Sequence, residues 1–422
     1  MVHLALSTFP RAASALTQFH GDALMLLDND PAHAFMPYPP VSVPNAPSGP
    51  LAGLTFAAKD LFDVAGYPTS AGSPQILAMS GIKTGTAPTV QRLLDAGARF
   101  VGKTITDELA FSMSGKNAHF GTPVNGAAPD RIPGGSSCGS ASAVSNNLCD
   151  FALGTDTGGS VRAPASHCGL FGLRPTHGGV SLEDCHDLAP SFDTCGYFAR
   201  DGETFTQVGK VLLGADGNAL PEKPRLLRAS DAFALLDRPV RDSLAPAVRQ
   251  IEAILGKADE TDVATEGFTV LYWTMRYIQG REAWTVDGPM IERLKPPMGP
   301  GVADRFEFSR NVTDQQVMES QTIRSRFRER LAALLGNDGV LILPSMPDIA
   351  PLLTDSDEAL NDYRNKALNL QCLSVLSGLP QVSIPLASRE GAPLGLSLLG
   401  PAGSDLSLVH LAARIAQAPQ RG

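Results

Sequence analysis

The segments that most constrain this chain are two glycine-serine runs, Gly134-Gly-Ser-Ser-Cys-Gly-Ser140 and Gly154-Thr-Asp-Thr-Gly-Gly-Ser-Val-Arg162. Ser136 and Ser160 stand 24 residues apart within them. Paired glycines weaken helix and strand interiors and open backbone conformations closed to other residues, so both runs read as loops. They lie in a stretch, Leu51 to about Phe198, that is rich in Gly, Ser, Thr and small apolar residues and poor in long charged side chains. Such a stretch suits tightly packed backbone and loops that approach a ligand, and the chemistry is expected there.

Around it the organisation is coarser. Prolines crowd residues 30–50, among them Pro37, Pro39, Pro40, Pro44, Pro47 and Pro50, which predicts an extended connector after an N-terminal helix. From about Asp216 to Gly336 the composition turns more charged, and Ala232 to Leu255 and Val317 to Leu335 read as amphipathic helices of a helical insertion over the core. Short aliphatic runs then return at Val340–Pro344, Val382–Pro385 and Leu394–Leu398 and predict sheet strands. A last helix is expected after Asp405, with Leu408, Leu411, Ala412 and Ile415 on one face. The 422 residues allow two or three domains or one large α/β domain.

Several function classes fall away on composition. The net charge is −9 with no compensating basic stripe, which argues against a nucleic-acid partner. The longest aliphatic run, Val340 to Leu343, is far too short to cross a bilayer, so no membrane partner is expected. Six cysteines without a C-x-x-C pair suit free thiols, and with only Arg11 before Asp22 and no apolar leader the chain reads as cytoplasmic. His167, Cys168, His177, Cys185 and His186 crowd together, but adjacent ligand pairs diverge and the usual metal spacings are missing, so no metal is expected.

Two motif matches mislead. Gly97-Ala-Arg-Phe-Val-Gly-Lys-Thr104 satisfies the Walker A pattern, yet Val90, Leu93 and Leu94 have helical spacing before Gly97 and Phe100-Val101 looks like a strand. Gly97 is better read as the end of a helix that begins near Thr86 and Pro88. Gly135-Ser-Ser-Cys-Gly139 fits the nucleophile elbow of α/β-hydrolases with Ser137 as nucleophile, but the preceding Ala128-Pro-Asp-Arg-Ile-Pro133 cannot be the buried strand that elbow needs.

Upstream of both loops, Lys59 ends the apolar stretch Leu54 to Ala58. Lys59, Ser136 and Ser160 in this setting closely resemble the Ser-Ser-Lys triad of the amidase signature family. The resemblance continues through Gly172-Leu-Arg-Pro-Thr176, Ser191-Phe-Asp-Thr194, Leu341 to Pro351, Ser377-Gly-Leu-Pro380 and Leu394 to Pro401. Residues 154–179 and Asn117 to Pro123 look most like the plant-type indoleacetamide hydrolases. Two departures stand out: Cys138 replaces the family's usual Gly or Ser, and Ile105-Thr106 replaces the common Asn-Met before Asp107-Glu108.

The resemblance implies an α/β fold with one large mixed sheet covered by helices on both faces, and divides the chain into 1–50, a signature core at 51–215, the insertion at 216–336 and a C-terminal core at 337–422. It implies hydrolysis of a small amide through an acyl-enzyme at Ser160, with Lys59 as base, Ser136 as proton relay and no cofactor. An oxyanion hole is expected from the N–H groups of Thr157, Gly158, Gly159 and Ser160. The Gly135–Ser136 peptide is expected to be cis. Asp156 and Arg162 are read as a buried charge pair bracing the loop, and Ser137 either as a hydrogen-bonding support or as the N-cap of a helix over Cys138 to Asn147. Phe111, Met113 and Phe192 are candidate walls of a pocket for an apolar or aryl primary amide. The alternatives are a urea-like or polar amide of the biuret or allophanate type, or the amidase component of a tRNA-dependent amidotransferase. A homodimer is implied by the family alone.

Overall fold

Ten strands form one sheet in the computed structural model, which describes residues 30–418; the expected N-terminal helix lies outside them. They are β1 (Thr55–Lys59), β2 (Arg99–Thr104), β3 (Phe151–Thr155), β4 (Phe171–Arg174), β5 (Cys195–Ala199), β6 (Arg225–Ala229), β7 (Asp259–Thr261), β8 (Gly339–Pro344), β9 (Gln381–Arg389) and β10 (Ala392–Leu399). Across the sheet the order is β2-β1-β3-β5-β4-β9-β10-β8-β6-β7. The three strands at each end run parallel to one another, and the middle is antiparallel. The three aliphatic runs predicted as strands are β8, β9 and β10, and the last helix runs from Asp405 to Gln417.

Helices cover both faces, as the side chains show. Successive residues of a strand point to opposite sides. Phe56, Ala58, Phe151, Leu153, Cys195 and Tyr197 fall into one core cluster, while the intervening Ala57, Ala152 and Phe198 fall into another. Strands β3, β4, β5 and β8 are buried at every position, the pattern of a sheet with no solvated face.

The 216–336 segment departs from a purely helical insertion. It supplies β6 and β7, which extend the central sheet from β8 with parallel pairing. The helix expected over Ala232 to Leu255 is two helices, Ser230–Ala234 and Arg238–Leu255. The second starts with a proline in its first turn, where the missing N–H costs nothing, after an extended N-cap at Asp237. The Walker-like run resolves as expected: Pro88–Asp95 is a helix, Gly97 follows with φ +93°, and Lys103 lies inside β2 in a buried ion pair with Asp60 at 2.6 Å.

Candidate active site

Lys59 and Thr155 are the last residues of two adjacent parallel strands, β1 and β3, so the sheet delivers both side chains to the same edge. That is where open α/β sheets bind ligands. Lys59 is fully buried, and its Nζ donates to Ser136 Oγ and to Thr155 Oγ1, both at 2.7 Å. Burial draws the Lys59 ammonium down to about 8, against the opposing pull of carboxylates including Asp107 and Asp193. A fraction of this lysine is therefore a neutral amine near pH 7.

Ser136 follows a cis peptide bond from Gly135, as expected. Its carbonyl accepts from Thr106 Oγ1 and from Asp107 N–H, both at 3.0 Å. Gly135 is required for a different reason from flexibility: any Cβ there would collide with the Asp107 carboxylate. The segment then enters the Cys138–Ser145 helix, whose small side chains let it pack against β1 and β3. Ser137 occupies the N-cap position of that helix without capping it. Its hydroxyl donates to Thr155 O at 3.1 Å and accepts from Thr155 N–H at 3.3 Å, so it bonds the end of β3 rather than capping the helix. Cys138 is fully buried, and burial pushes its thiol well up, which keeps it inert.

The second loop is built around Asp156. Burial alone would raise its carboxyl, but the guanidinium of Arg162, with Nη2 at 2.8 Å from Oδ1, and that of Arg174, with Nη1 at 3.0 Å, hold it well below the usual carboxylate range. The expected pair is thus a triad of charges, and Arg174 is the member that reading the loop alone does not reveal. Asp156 Oδ1 also accepts from Gly159 N–H at 2.9 Å, and Oδ2 from Val161 and Arg162 N–H at 3.2 Å each. This corrects the expected oxyanion hole: the Gly159 donor is already committed. The N–H groups of Thr157, Gly158 and Ser160 have no protein acceptor among the described residues. Of the two glycines only Gly159 has positive φ, +118°.

Ser160 is 5% exposed, its side chain makes no hydrogen bond among the described residues, and its carbonyl accepts from Ser137 N–H at 3.3 Å. Lys59 and Ser136 are thus in direct contact, and Ser160 is tied to them through the backbone of the neighbouring loop. Asp193, from the Ser191–Thr194 motif, accepts from Thr157 Oγ1 at 2.5 Å and from Leu188 and Ala189 N–H.

Only one of the three apolar candidates borders open space. Met113 lines a cavity of about 720 Å³ together with Ile132, Tyr272 and Leu360. Phe111 is buried edge-on against Phe306, and Phe192 is buried beneath Arg324, whose guanidinium sits 4.3 Å from its ring centre. Both are core. The cavity also carries Arg276, Arg305 and Arg364. Two of its helices reach the nucleophile loop: a Cβ at Gly158 would sit 3.5 Å from Gln279 and 3.6 Å from Leu368, and one at Gly159 would press on Gln371 at 2.9 Å.

Among the described residues no group of His, Cys, Asp or Glu is placed to hold a metal ion, and no helix is long and apolar enough to cross a membrane. The crowded histidines are spent elsewhere: His167 on Tyr363 Oη, His177 on Pro190 O and His186 on Asp287.

Comparison with known proteins fits this geometry. The family model described as Amidase matches residues 7–241. Amidase 1 of Arabidopsis thaliana is 40% identical over 401 residues, covering 88% of this chain and 94% of the relative. A glutamyl-tRNA(Gln) amidotransferase subunit of Methanothermobacter thermautotrophicus is 32% identical, covering 87% of this chain and 85% of the relative. A solved amidase crystal structure superposes with a TM-score of 0.78 at 29% identity, over 86% of this chain and 84% of its own.

Proposed function

The chain belongs to the amidase signature family and is a hydrolase acting on amide C–N bonds, and on that premise we propose that it works alone on small primary carboxylic amides, giving acid and ammonia. The observation that carries the reading is the direct hydrogen bond from the fully buried Lys59 to Ser136, with the Ser160 loop tied to the same segment through the Ser137 N–H.

In this reading neutral Lys59 takes the proton of Ser136 Oγ while Ser136 takes that of Ser160 Oγ, which attacks the amide carbon. Negative charge develops on the carbonyl oxygen and is met by the free N–H groups of Thr157, Gly158 and Ser160. The tetrahedral species collapses as Ser136 returns a proton to the leaving nitrogen, and ammonia departs. Water then attacks the acyl-Ser160 ester by the same relay, releasing the acid and restoring the serine. Asp156, Arg162 and Arg174 do not touch the substrate; they hold the loop that presents the donors. Met113, Ile132, Tyr272 and Leu360 give the cavity an apolar wall, which supports an acyl group with an apolar body.

The test is ammonia release from a panel of aryl, alkyl, amino-acid and urea-type amides by wild type, Ser160→Ala and Lys59→Ala. Turnover by wild type that disappears in both variants is expected, whereas activity surviving in Ser160→Ala removes that serine as nucleophile. The likeness to the amidotransferase relative supplies a second reading, in which purified protein is inert until a copurifying partner is restored.

A further inference from the structure

The peptide unit joining Asp156 to Thr157 carries one of the free N–H groups of the nucleophile loop, and two consecutive residues from the Ser191–Thr194 motif grip it. Asp156 N–H donates to Thr194 O at 2.9 Å, Thr194 Oγ1 donates to Asp156 O at 2.8 Å, and Thr157 Oγ1 donates to Asp193 Oδ1 at 2.5 Å. Arg174 Nη1 also donates to the Asp156 carbonyl. This peptide bond is trans, so its C=O and N–H lie in one plane and point in opposite directions. A carbonyl turned toward Thr194 and Arg174 therefore turns the Thr157 N–H the other way, and that N–H has no protein acceptor among the described residues.

Holding the carbonyl sets the direction of the N–H but not the place of the Thr157 Cα. The side chain supplies that second constraint, because the hydroxyl is bound to Asp193 and both residues are buried. The Asp193 carboxylate is itself anchored: Oδ2 accepts from Leu188 N–H at 2.9 Å and from Ala189 N–H at 3.0 Å, while Asp193 N–H donates to Ala189 O at 2.9 Å. Behind it, Arg174 Nη2 donates to Phe192 O, and Arg324 donates to Ser191 O and Oγ. The Thr157 hydroxyl spends its one proton on this carboxylate, so it acts as a strut rather than as a donor to substrate. The space that Thr155, Thr157 and Asp193 line together is about 10 Å³, no more than a single water needs and far too small for an amide.

We propose that Asp193 is a positioning residue of the hydrolysis, whose carboxylate, acting through the Thr157 hydroxyl, holds the Thr157 N–H where the negative oxygen of the tetrahedral species forms. The proposal rests on the amidase reading and adds to it a residue that bonds none of Lys59, Ser136 and Ser160. The test compares Asp193→Asn, Thr157→Val, Thr157→Ser and the double variant Asp193→Asn/Thr157→Val on the best amide of the panel. It is run at pH 9, above the value of about 8 to which burial draws Lys59, so that losing a nearby carboxylate changes little in how much of the base is neutral. Asp193→Asn and Thr157→Val are each expected to lower kcat by about tenfold to a hundredfold with KM little changed, since the N–H acts on the transition state and not on the bound amide. The double variant should lose about as much as the worse single variant, because both break the same link. Thr157→Ser keeps the hydroxyl and should recover most of the kcat lost in Thr157→Val. Thr157→Val leaves the carboxylate its two N–H donors, so the link stays testable if Asp193→Asn does not fold. Losses that multiply in the double variant, a loss confined to KM, or full kcat in Thr157→Val overturns the positioning role and leaves the amidase reading standing. If wild type hydrolyses no amide, that reading fails, and the rate at which a fluorophosphonate labels Ser160, followed by mass spectrometry, decides the link by itself. Labelling slowed alike in Asp193→Asn and Thr157→Val supports it, and equal rates in wild type and both variants, or no labelling of wild type, overturn it.

Discussion

Two groups of arginines, all but Arg305 buried, are treated in opposite ways. Arg162 and Arg174 converge on Asp156, with every charge paired and the carboxylate also gathering three backbone N–H groups. Arg276, Arg305 and Arg364 converge on a cavity with no ion pair among the described residues. The paired set fixes a loop, and removing any member strands the others. The unpaired set faces open space instead, and removing one member strands no carboxylate.

The largest effect should come from Asp156→Asn, which leaves two buried guanidinium groups uncompensated. A loss of about 3 to 5 kcal/mol in stability is expected, read by urea denaturation. A variant as stable as wild type would show that the paired set does not hold the loop. Next in size is Gly159→Ala, expected to cost about 1 to 3 kcal/mol because φ is +118° and the new methyl presses on Gln371. Gly158→Ala, where a Cβ meets only ordinary contacts, should unfold close to wild type.

Lys59 lies between the two sets: it is buried without a carboxylate bonded to it, yet unlike arginine it can discharge. Burial lowers it to about 8 in the folded protein, and the base must be neutral. Free-enzyme kcat/KM should therefore rise about tenfold per pH unit below pH 8 and level off above it. A flat profile between pH 6 and 9 removes Lys59 as the base. The smallest effect has the opposite sign from the first: Arg364→Gln, without ligand, should leave the melting temperature unchanged or raise it by a degree or two, whereas Arg174→Gln should lower it clearly. Equal losses in both would erase the distinction between the two sets.

How much of this was legible follows from the same contrast. Ser136, Ser160, Asp156 and Arg162 stand within loops whose composition already marks them, whereas Lys59 was singled out only by the resemblance to the amidase signature family. Arg174, Thr155, Thr106 and Asp193 act through long-range register, which local composition does not carry. The small-residue segment at Cys138 was readable as a helix because nothing in it resists close packing. The helix Phe268–Leu294 escaped notice because it is buried on several faces, so no clean stripe recurs along it. The start of Asp314–Leu335 was readable in principle, since Thr313 and Gln316 form a capping box. Phe111 and Phe192 were misplaced because being apolar and near the site in sequence does not say which side of the backbone faces the cavity. The cavity arginines were invisible for a third reason: they lie on three helices far apart in the chain.

The contacts at Lys59, finally, close on themselves. Lys59 bonds Ser136, Ser136 is joined to Ser137 by the chain, Ser137 bonds the Thr155 backbone, and the Thr155 hydroxyl receives Lys59 again. A closed ring behaves as a braced frame: no one side can lengthen unless the others give way. Deleting one hydroxyl from it opens the ring but leaves an unbroken chain of links along the other way round. Thr155→Val should thus alter the proton affinity of Lys59 more than the position of its nitrogen, separating the tuning of the base from its placement.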